Sequence, residues 1–126
     1  MSKELIIRTK NNHIEVEALR IYDTSEPIKV KAELDKEWKY YDDYAVIFKY
    51  YGYSEKVVLN KELECEIPYE LLNMEVPEYL YDDKDHKRTI YAQLVGIIYS
   101  ASGEYAINLK RSRIESIITI ETAHKE

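Results

Sequence analysis

The chain has 126 residues, 45% of them hydrophobic and 33% charged, with a formal net charge of −6. Length and composition predict one soluble domain, 1–126, with 1–4 and 123–126 frayed. The acidic balance argues against a nucleic-acid partner, and the single cysteine excludes an internal disulfide. No apolar run is long enough to span a membrane, and no signal peptide is visible, so we expect synthesis in a cytoplasm and no membrane partner.

Alternating apolar residues predict strands in the first third of the chain. Leu5–Thr9 is the first, and Ile14–Ala18 is the second. After Ala18 the apolar positions shift by one residue, which requires a bulge or a change of sheet. Ile28–Leu34 alternates regularly with charged residues and is the clearest strand.

The stretch from Tyr44 to Leu72 organises the rest of the prediction. Tyr44–Tyr51 is apolar on both faces, which predicts a central strand. Val57–Leu59 follows as its hairpin partner after Gly52. The segment Cys65–Leu72 then predicts a short strand and one helical turn opened by proline, because proline suits the first helical position.

The second half predicts a long hairpin and a last strand. Acidic and basic residues mixed in Asp82–Arg88 indicate a solvated loop, and the basic run Lys110–Arg113 indicates a solvated turn. The remaining segments are the strand Thr89–Tyr99, the turn Ser100–Gly103, the returning strand Tyr105–Leu109 and the strand Ile114–Ile120. About eight short strands with one brief helical turn predict an all-β class, an antiparallel β-sandwich.

No residue has the setting of a catalytic group. Cys65 has no histidine or other thiolate-stabilising motif near it in sequence, which favours a small buried residue. The acids Asp82, Asp83 and Asp85 with His86 could bind a divalent cation, but interleaved basic residues favour a solvated loop. We therefore predict no catalytic residue, no metal and no cofactor.

Tyrosine is the unusual component, with 13 Tyr against one Phe and one Trp. Tyrosines near the central hairpin could pack the sheet, anchor a protein interface or stack on sugar rings. Sequence leaves these three roles open. The candidate interface residues are Tyr40, Tyr41, Tyr50, Tyr51 and Tyr53.

The segments Val46–Lys49, Glu55–Leu59 and Cys65–Leu72, in this order, resemble a domain common in tailed-phage virion proteins. That domain opens baseplate upper proteins and has relatives in head-fibre and decoration proteins. Two departures from the pattern are the Ser100–Gly103 turn, where the family has Thr-Thr-Asn, and the Asp82–Arg88 loop, which resembles an insertion. The residues at the family's structural positions are Phe48, Cys65, Ile67, Pro68 and Leu71, with Gly96 in the later strand.

The resemblance implies an immunoglobulin-like sandwich that assembles by protein contacts and has no enzymatic activity. Its partners would be other virion proteins of a capsid or baseplate, it would form a homo-oligomer, and it would be located in the virion. Two alternatives stay open from the residues. One is a carbohydrate-binding module, and the other is a small acidic inhibitor of a host protein.

Overall fold

Two β-sheets pack face to face in the computed structural model, which describes residues 3–50, 52–73 and 87–121. The predicted all-β sandwich is confirmed. Two short helical segments accompany the strands, a 3₁₀ turn at Lys36–Trp38 and helix α1 at Tyr69–Leu72. The strands in these ranges are β1 (Lys3–Lys10), β2 (His13–Val16), β3 (Leu19–Ile21), β4 (Ile28–Glu33), β5 (Asp43–Tyr50), β6 (Tyr53–Val58), β7 (Glu64–Glu66), β8 (Lys87–Tyr99), β9 (Ala106–Arg111) and β10 (Glu115–Glu121).

The first sheet has the order β2-β1-β4-β7, and the second has the order β3-β10-β8-β5-β6. Strand β9 also pairs with β8, on the same edge as β10, because β5 occupies the other edge. The predicted antiparallel arrangement needs a correction, since β1 pairs with β4 in parallel and β3 pairs with β10 in parallel. The described residues also contain ten strands rather than about eight, and β3 and β7 have only three residues each.

Both parallel pairs follow from the chain crossing between the sheets. After the hairpin β1–β2, the chain leaves the first sheet and enters the second as β3. It then returns as β4 beside β1, in the same direction. The one-residue shift after Ala18 is therefore a change of sheet, one of the two outcomes that the sequence predicted.

The core lies between the two sheets and is built by alternating strand residues. In β4 the inward residues Ile28, Val30 and Ala32 are buried, and the intervening residues are not. Strand β5 contributes Val46 and Phe48 to the same core. Because β5 lies between β8 and β6, the predicted interior position of this strand is confirmed.

Aromatic side chains around Trp38 close one end of the core. The Trp38 ring is fully buried, and its Nε1 donates a hydrogen bond of 2.6 Å to the Asn11 carbonyl oxygen. The Tyr44 hydroxyl donates to the Trp38 carbonyl oxygen. Tyr41 lies between these two rings, with centroid distances of 6.3 Å to Trp38 and 6.2 Å to Tyr44. The 3₁₀ turn therefore seals the sandwich beside the β1–β2 turn.

The Cys65–Leu72 segment forms a second closure of the core. Strand β7 pairs with β4, and the predicted helical turn is present, with Pro68 as the N-cap residue of α1 rather than at its first helical position. Ile67, Leu71 and Leu72 are buried, so the short helix is held by its apolar side chains. The Arg88 Nη2 donates a hydrogen bond of 3.0 Å to the Leu72 carbonyl oxygen at the end of the helix.

The basic run Lys110–Arg113 is not the solvated turn that its composition indicated. Its first two residues belong to β9, and Ser112 is buried. The Ser112 hydroxyl accepts a 2.9 Å hydrogen bond from the Leu94 N–H and donates to the Arg113 carbonyl oxygen. Lys110 Nζ lies 4.8 Å from the centre of the Trp38 ring, so this charge faces the aromatic closure.

Candidate docking surface

The outer face of the first sheet is charged, as a sheet face in water normally is. Residues on neighbouring strands bring opposite charges together on this face. Arg8 Nε lies 2.8 Å from Glu33 Oε1, and Lys29 Nζ lies 3.6 Å from Glu64 Oε1. Ile6 is the half-buried apolar residue among these charges, opposite Lys31 in the β1–β4 ladder.

The outer face of the second sheet is apolar. Its centre is a buried cluster of Ala45, Val95 and Ile97, separate from the core between the sheets. Strand register extends this cluster across the sheet, because Val58 lies opposite Ala45 and Leu109 lies opposite Ile97. We name this surface the apolar outer face, and it consists of Ala45, Ile47, Val58, Val95, Ile97 and Leu109.

The charged side chains around the apolar outer face are mostly basic. Lys49, Lys56 and Arg111 occupy outward positions of β5, β6 and β9. Asp43 is the carboxylate on the same face of β5, opposite Ile97. A hydrogen bond between the Tyr99 hydroxyl and this carboxylate raises the pKa of Tyr99. Among the described residues, this face therefore carries more basic than acidic side chains.

The candidate interface tyrosines separate into different environments. Tyr40 is 82% exposed, and Tyr53 is 38% exposed, with its hydroxyl 3.2 Å from Glu55 Oε1. Tyr41 is half-buried against the core. Tyr50 is only 1% exposed and packs in the core, which corrects the interface role predicted for it. Tyr51 lies outside the described residues.

A shallow depression of about 250 Å³ lies beside the hairpin that joins β5 and β6. Tyr53 and Tyr91 contribute to its wall, together with Lys49. Tyr91 stands outward on β8, opposite Lys49. Sequence reasoning did not select Tyr91, because its place beside the hairpin depends on the β5–β8 register.

The residues that the resemblance to virion domains assigns to structural positions are buried or half-buried. Phe48, Ile67 and Leu71 are buried, and Cys65 and Pro68 are half-buried. Burial raises the pKa of the Cys65 thiol to about 12, and the nearby Glu66 carboxylate acts in the same direction. This thiol is therefore protonated at neutral pH, which is unfavourable for a nucleophile.

Residues 3–50, 52–73 and 87–121 contain no group of three or more His, Cys, Asp or Glu side chains arranged to hold a metal ion. In those ranges no helix has the length and apolar character needed to cross a membrane. The candidate cation ligands Asp82, Asp83, Asp85 and His86 lie outside the described residues.

Positions 45, 47, 95 and 97 are apolar and face outward. In the sequence, apolar residues on both faces of a strand predicted only that the strand lies inside a sheet. A strand that is apolar on both faces can be covered on both faces, or it can present one face to another molecule.

Comparison with known proteins finds no matching family model and no matching curated protein.

Proposed function

We propose that this protein is a non-enzymatic structural component of a phage virion, which docks on a capsid or baseplate protein through the apolar outer face. The contrast between the two outer faces carries the proposal. One face carries paired charges, and the other exposes Val58 and Leu109 on either side of the buried cluster of Ala45, Val95 and Ile97, with the half-buried Ile47 beside it. Exposed apolar side chains on one face of a sheet are candidates for a contact with another molecule. The resemblance of the Cys65–Leu72 segment to virion domains supplies the setting.

The chemistry of this face describes the partner surface. Covering the half-exposed side chains of Val58 and Leu109 removes apolar area from water, which stabilises a complex by about 25 cal/mol per Å² before the cost of association. The basic side chains Lys49, Lys56 and Arg111 favour acidic residues around the partner's apolar patch. The same basic residues argue against an acidic inhibitor that would use this face to capture a basic protein.

A pair of matched substitutions tests the proposal. Ile47 and Ile6 are both half-buried isoleucines on outer faces, one on each sheet. We expect Ile47→Lys to lower the amount of chain bound to virions by roughly tenfold or more, because a lysine buried against an apolar partner surface loses its water without gaining a hydrogen-bonding or charged partner. Ile6→Lys should leave binding unchanged. The measurement is immunoblotting of particles purified on a density gradient from a lysate of the phage that encodes the chain.

Two results would contradict different parts of the proposal. If the unmodified chain stays at the top of the gradient, away from particles, the virion assignment is wrong. If particles retain Ile47→Lys as well as the unmodified chain, docking uses another surface. Urea unfolding of both variants is the control, because each must keep a cooperative transition before its binding is interpreted.

A further inference from the structure

Strand β9 forms an open edge of the second sheet. It pairs with β8 on one side, and no described strand pairs with its other side. At six residues it is longer than the edge strands β2, β3 and β7. The other long edge strand, β6, carries the charged residues Glu55 and Lys56, and β9 carries Lys110 and Arg111, so the number of charges does not distinguish the two edges.

The alternation of hydrogen bonds between β9 and β8 shows which backbone groups of β9 face the open edge. The Ser112 N–H donates 2.9 Å to the Leu94 carbonyl oxygen, which fixes the ladder between this segment and β8. Bonded positions alternate along an antiparallel pair, so Lys110 faces Gly96 and Asn108 faces Ile98. Leu109 and Arg111 therefore direct their N–H and C=O groups away from β8. The register irregularity between Ile98 and Tyr99 lies beyond them, toward the turn.

The inward-facing charge of β9, on Lys110, does not block pairing at this open edge. Lys110 is the strand's lysine, but its Nζ lies 3.8 Å from Glu37 Oε2 and over the Trp38 ring, so it is held at the aromatic closure. Leu109 is 44% exposed, and it adjoins Ile97 of the apolar outer face. Ile107 is also exposed. An edge with this composition is suited to pairing with a second strand.

We infer that β9 pairs antiparallel with β9 of a second copy of this chain, about a two-fold axis at Leu109. In this register the outward N–H and C=O groups of both Leu109 residues bond to each other. Ile107 lies opposite the partner's Arg111, and Asn108 lies opposite the partner's Lys110. No like charges face each other, whereas a register centred one residue later would oppose two Lys110 side chains.

The interface is isologous, so it closes after two copies and does not propagate. It joins two second sheets into one continuous sheet and brings the two apolar outer faces side by side. The inference rests on the open edge and its register, and it does not depend on the virion proposal. An acidic docking partner and a paired second copy use adjoining surfaces, so both can be present.

Disulfide capture tests the register directly. In a Cys65→Ala background, Leu109→Cys places one thiol at the proposed axis, where bonded antiparallel residues have Cα atoms about 5.5 Å apart. That separation lies within the range a disulfide spans. Mild oxidation by oxidised glutathione should give a covalent species of twice the 15.0 kDa chain mass. Val58→Cys, at the 49% exposed residue of edge strand β6, is the matched control and should stay monomeric on a non-reducing gel.

Light scattering on a sizing column gives an independent readout. The unmodified chain at micromolar concentration should have twice the 15.0 kDa chain mass, Leu109→Lys should have the mass of one chain, and Val58→Lys should remain dimeric. A single-chain mass for the unmodified protein, with no preferential capture at position 109, would overturn the inference. So would a dimer that Val58→Lys dissociates and Leu109→Lys does not. Urea unfolding of each variant separates loss of pairing from loss of folding.

Discussion

Gly96 allows the Tyr41 ring to pack between Trp38 and Tyr44 at the end of the core. A Cβ atom at this position would lie 2.8 Å from Cγ of the Tyr41 ring, closer than a carbon contact permits. The ring of Tyr41 therefore lies directly on the strand backbone. The buried glycine makes room for Tyr41 between Trp38 and Tyr44, and the three rings cover the end of the core.

The substitution Gly96→Ala should lower the free energy of unfolding by about 1–3 kcal/mol, because the added methyl group displaces the Tyr41 ring. In a Tyr41→Ala background the same change should be neutral or slightly stabilising, since alanine suits a strand better than glycine. Urea titrations of the four proteins form a double-mutant cycle. An equal loss in both backgrounds would show that the contact with Tyr41 is not the cause.

At the scale of single residues, residue type alone does not show whether a side chain is buried or exposed. Phe48, Ile67 and Leu71, which the resemblance assigns to structural positions, are buried. Tyr40 precedes β5 and Tyr50 is its last residue, yet the first is 82% and the second 1% exposed. Tyrosine is amphipathic, so composition cannot separate these environments. Strand direction and register decide them.

The 3₁₀ turn Lys36–Trp38 is the element that connects the aromatic closure to the first sheet, and Asp35 anchors it. Its carboxylate accepts hydrogen bonds from the Glu37 N–H at 3.2 Å and from the Asn11 N–H at 3.0 Å. Its own N–H donates 2.7 Å to the Thr9 hydroxyl. One side chain therefore caps the turn and ties it to the β1–β2 hairpin.

Asp35→Ala should lower the free energy of unfolding by about 1–2 kcal/mol, because two backbone donors lose their acceptor. Asp23→Ala is the matched control. Its carboxylate accepts a local bond of 2.9 Å from the Ser25 N–H, and an exposed local turn should cost less than about 0.5 kcal/mol. Thermal and urea unfolding measure both. A loss at Asp23 as large as that at Asp35 would contradict the anchoring role.

Element positions were largely predictable, and element directions were not. The clean alternation of Ile28–Leu34 and the proline before Tyr69 locate β4 and α1 because both signals are local. The parallel pairing of β1 with β4 depends on where the chain crosses between sheets, which periodicity does not encode. The burial of Ser112 was missed for the same reason, since its partner Leu94 lies on another strand.

At the scale of the molecule, ionisation predicts lower stability in alkali. Burial raises the pKa of Cys65 from 9.0 to about 12 and also raises the pKa of Tyr44. The unfolded chain therefore loses these protons at lower pH than the folded chain. The contribution of Cys65 is fully present below pH 9.0 and declines as the pH rises toward 12, and the contribution of Tyr44 declines once the pH exceeds 10.0.

Urea titrations at a series of pH values measure this decline, with Cys65→Ala as the comparison. The curves of the two proteins should run parallel below pH 9 and converge above it, because only the unmodified chain loses the thiol contribution. Curves that stay parallel up to pH 11 would show that the Cys65 thiol ionises alike in both states.

The all-β class and the sandwich were predictable from strand spacing, but the candidate site was not. Inward and outward apolar residues have the same periodicity in β5 and β8, so Ala45 and Val46 are indistinguishable until the sheets are paired. The open edge of β9 likewise exists only in the assembled sheet. The sequence supplied the residues of the proposed surface, and topology determined which of them face outward.

The crossing of the chain from β2 to β3 also affects the order in which the fold can be completed. Every described strand of the first sheet lies before α1 in sequence, so that sheet can pair while later residues are still being synthesised. Strand β3 is among the earliest elements, yet its ladder partner is β10, with Leu19 beside Ile118. The N-terminal half of the chain therefore cannot complete its strand pairing until β10 has been synthesised. Such distant pairing makes folding slow, and it leaves β3 exposed to wrong partners during synthesis.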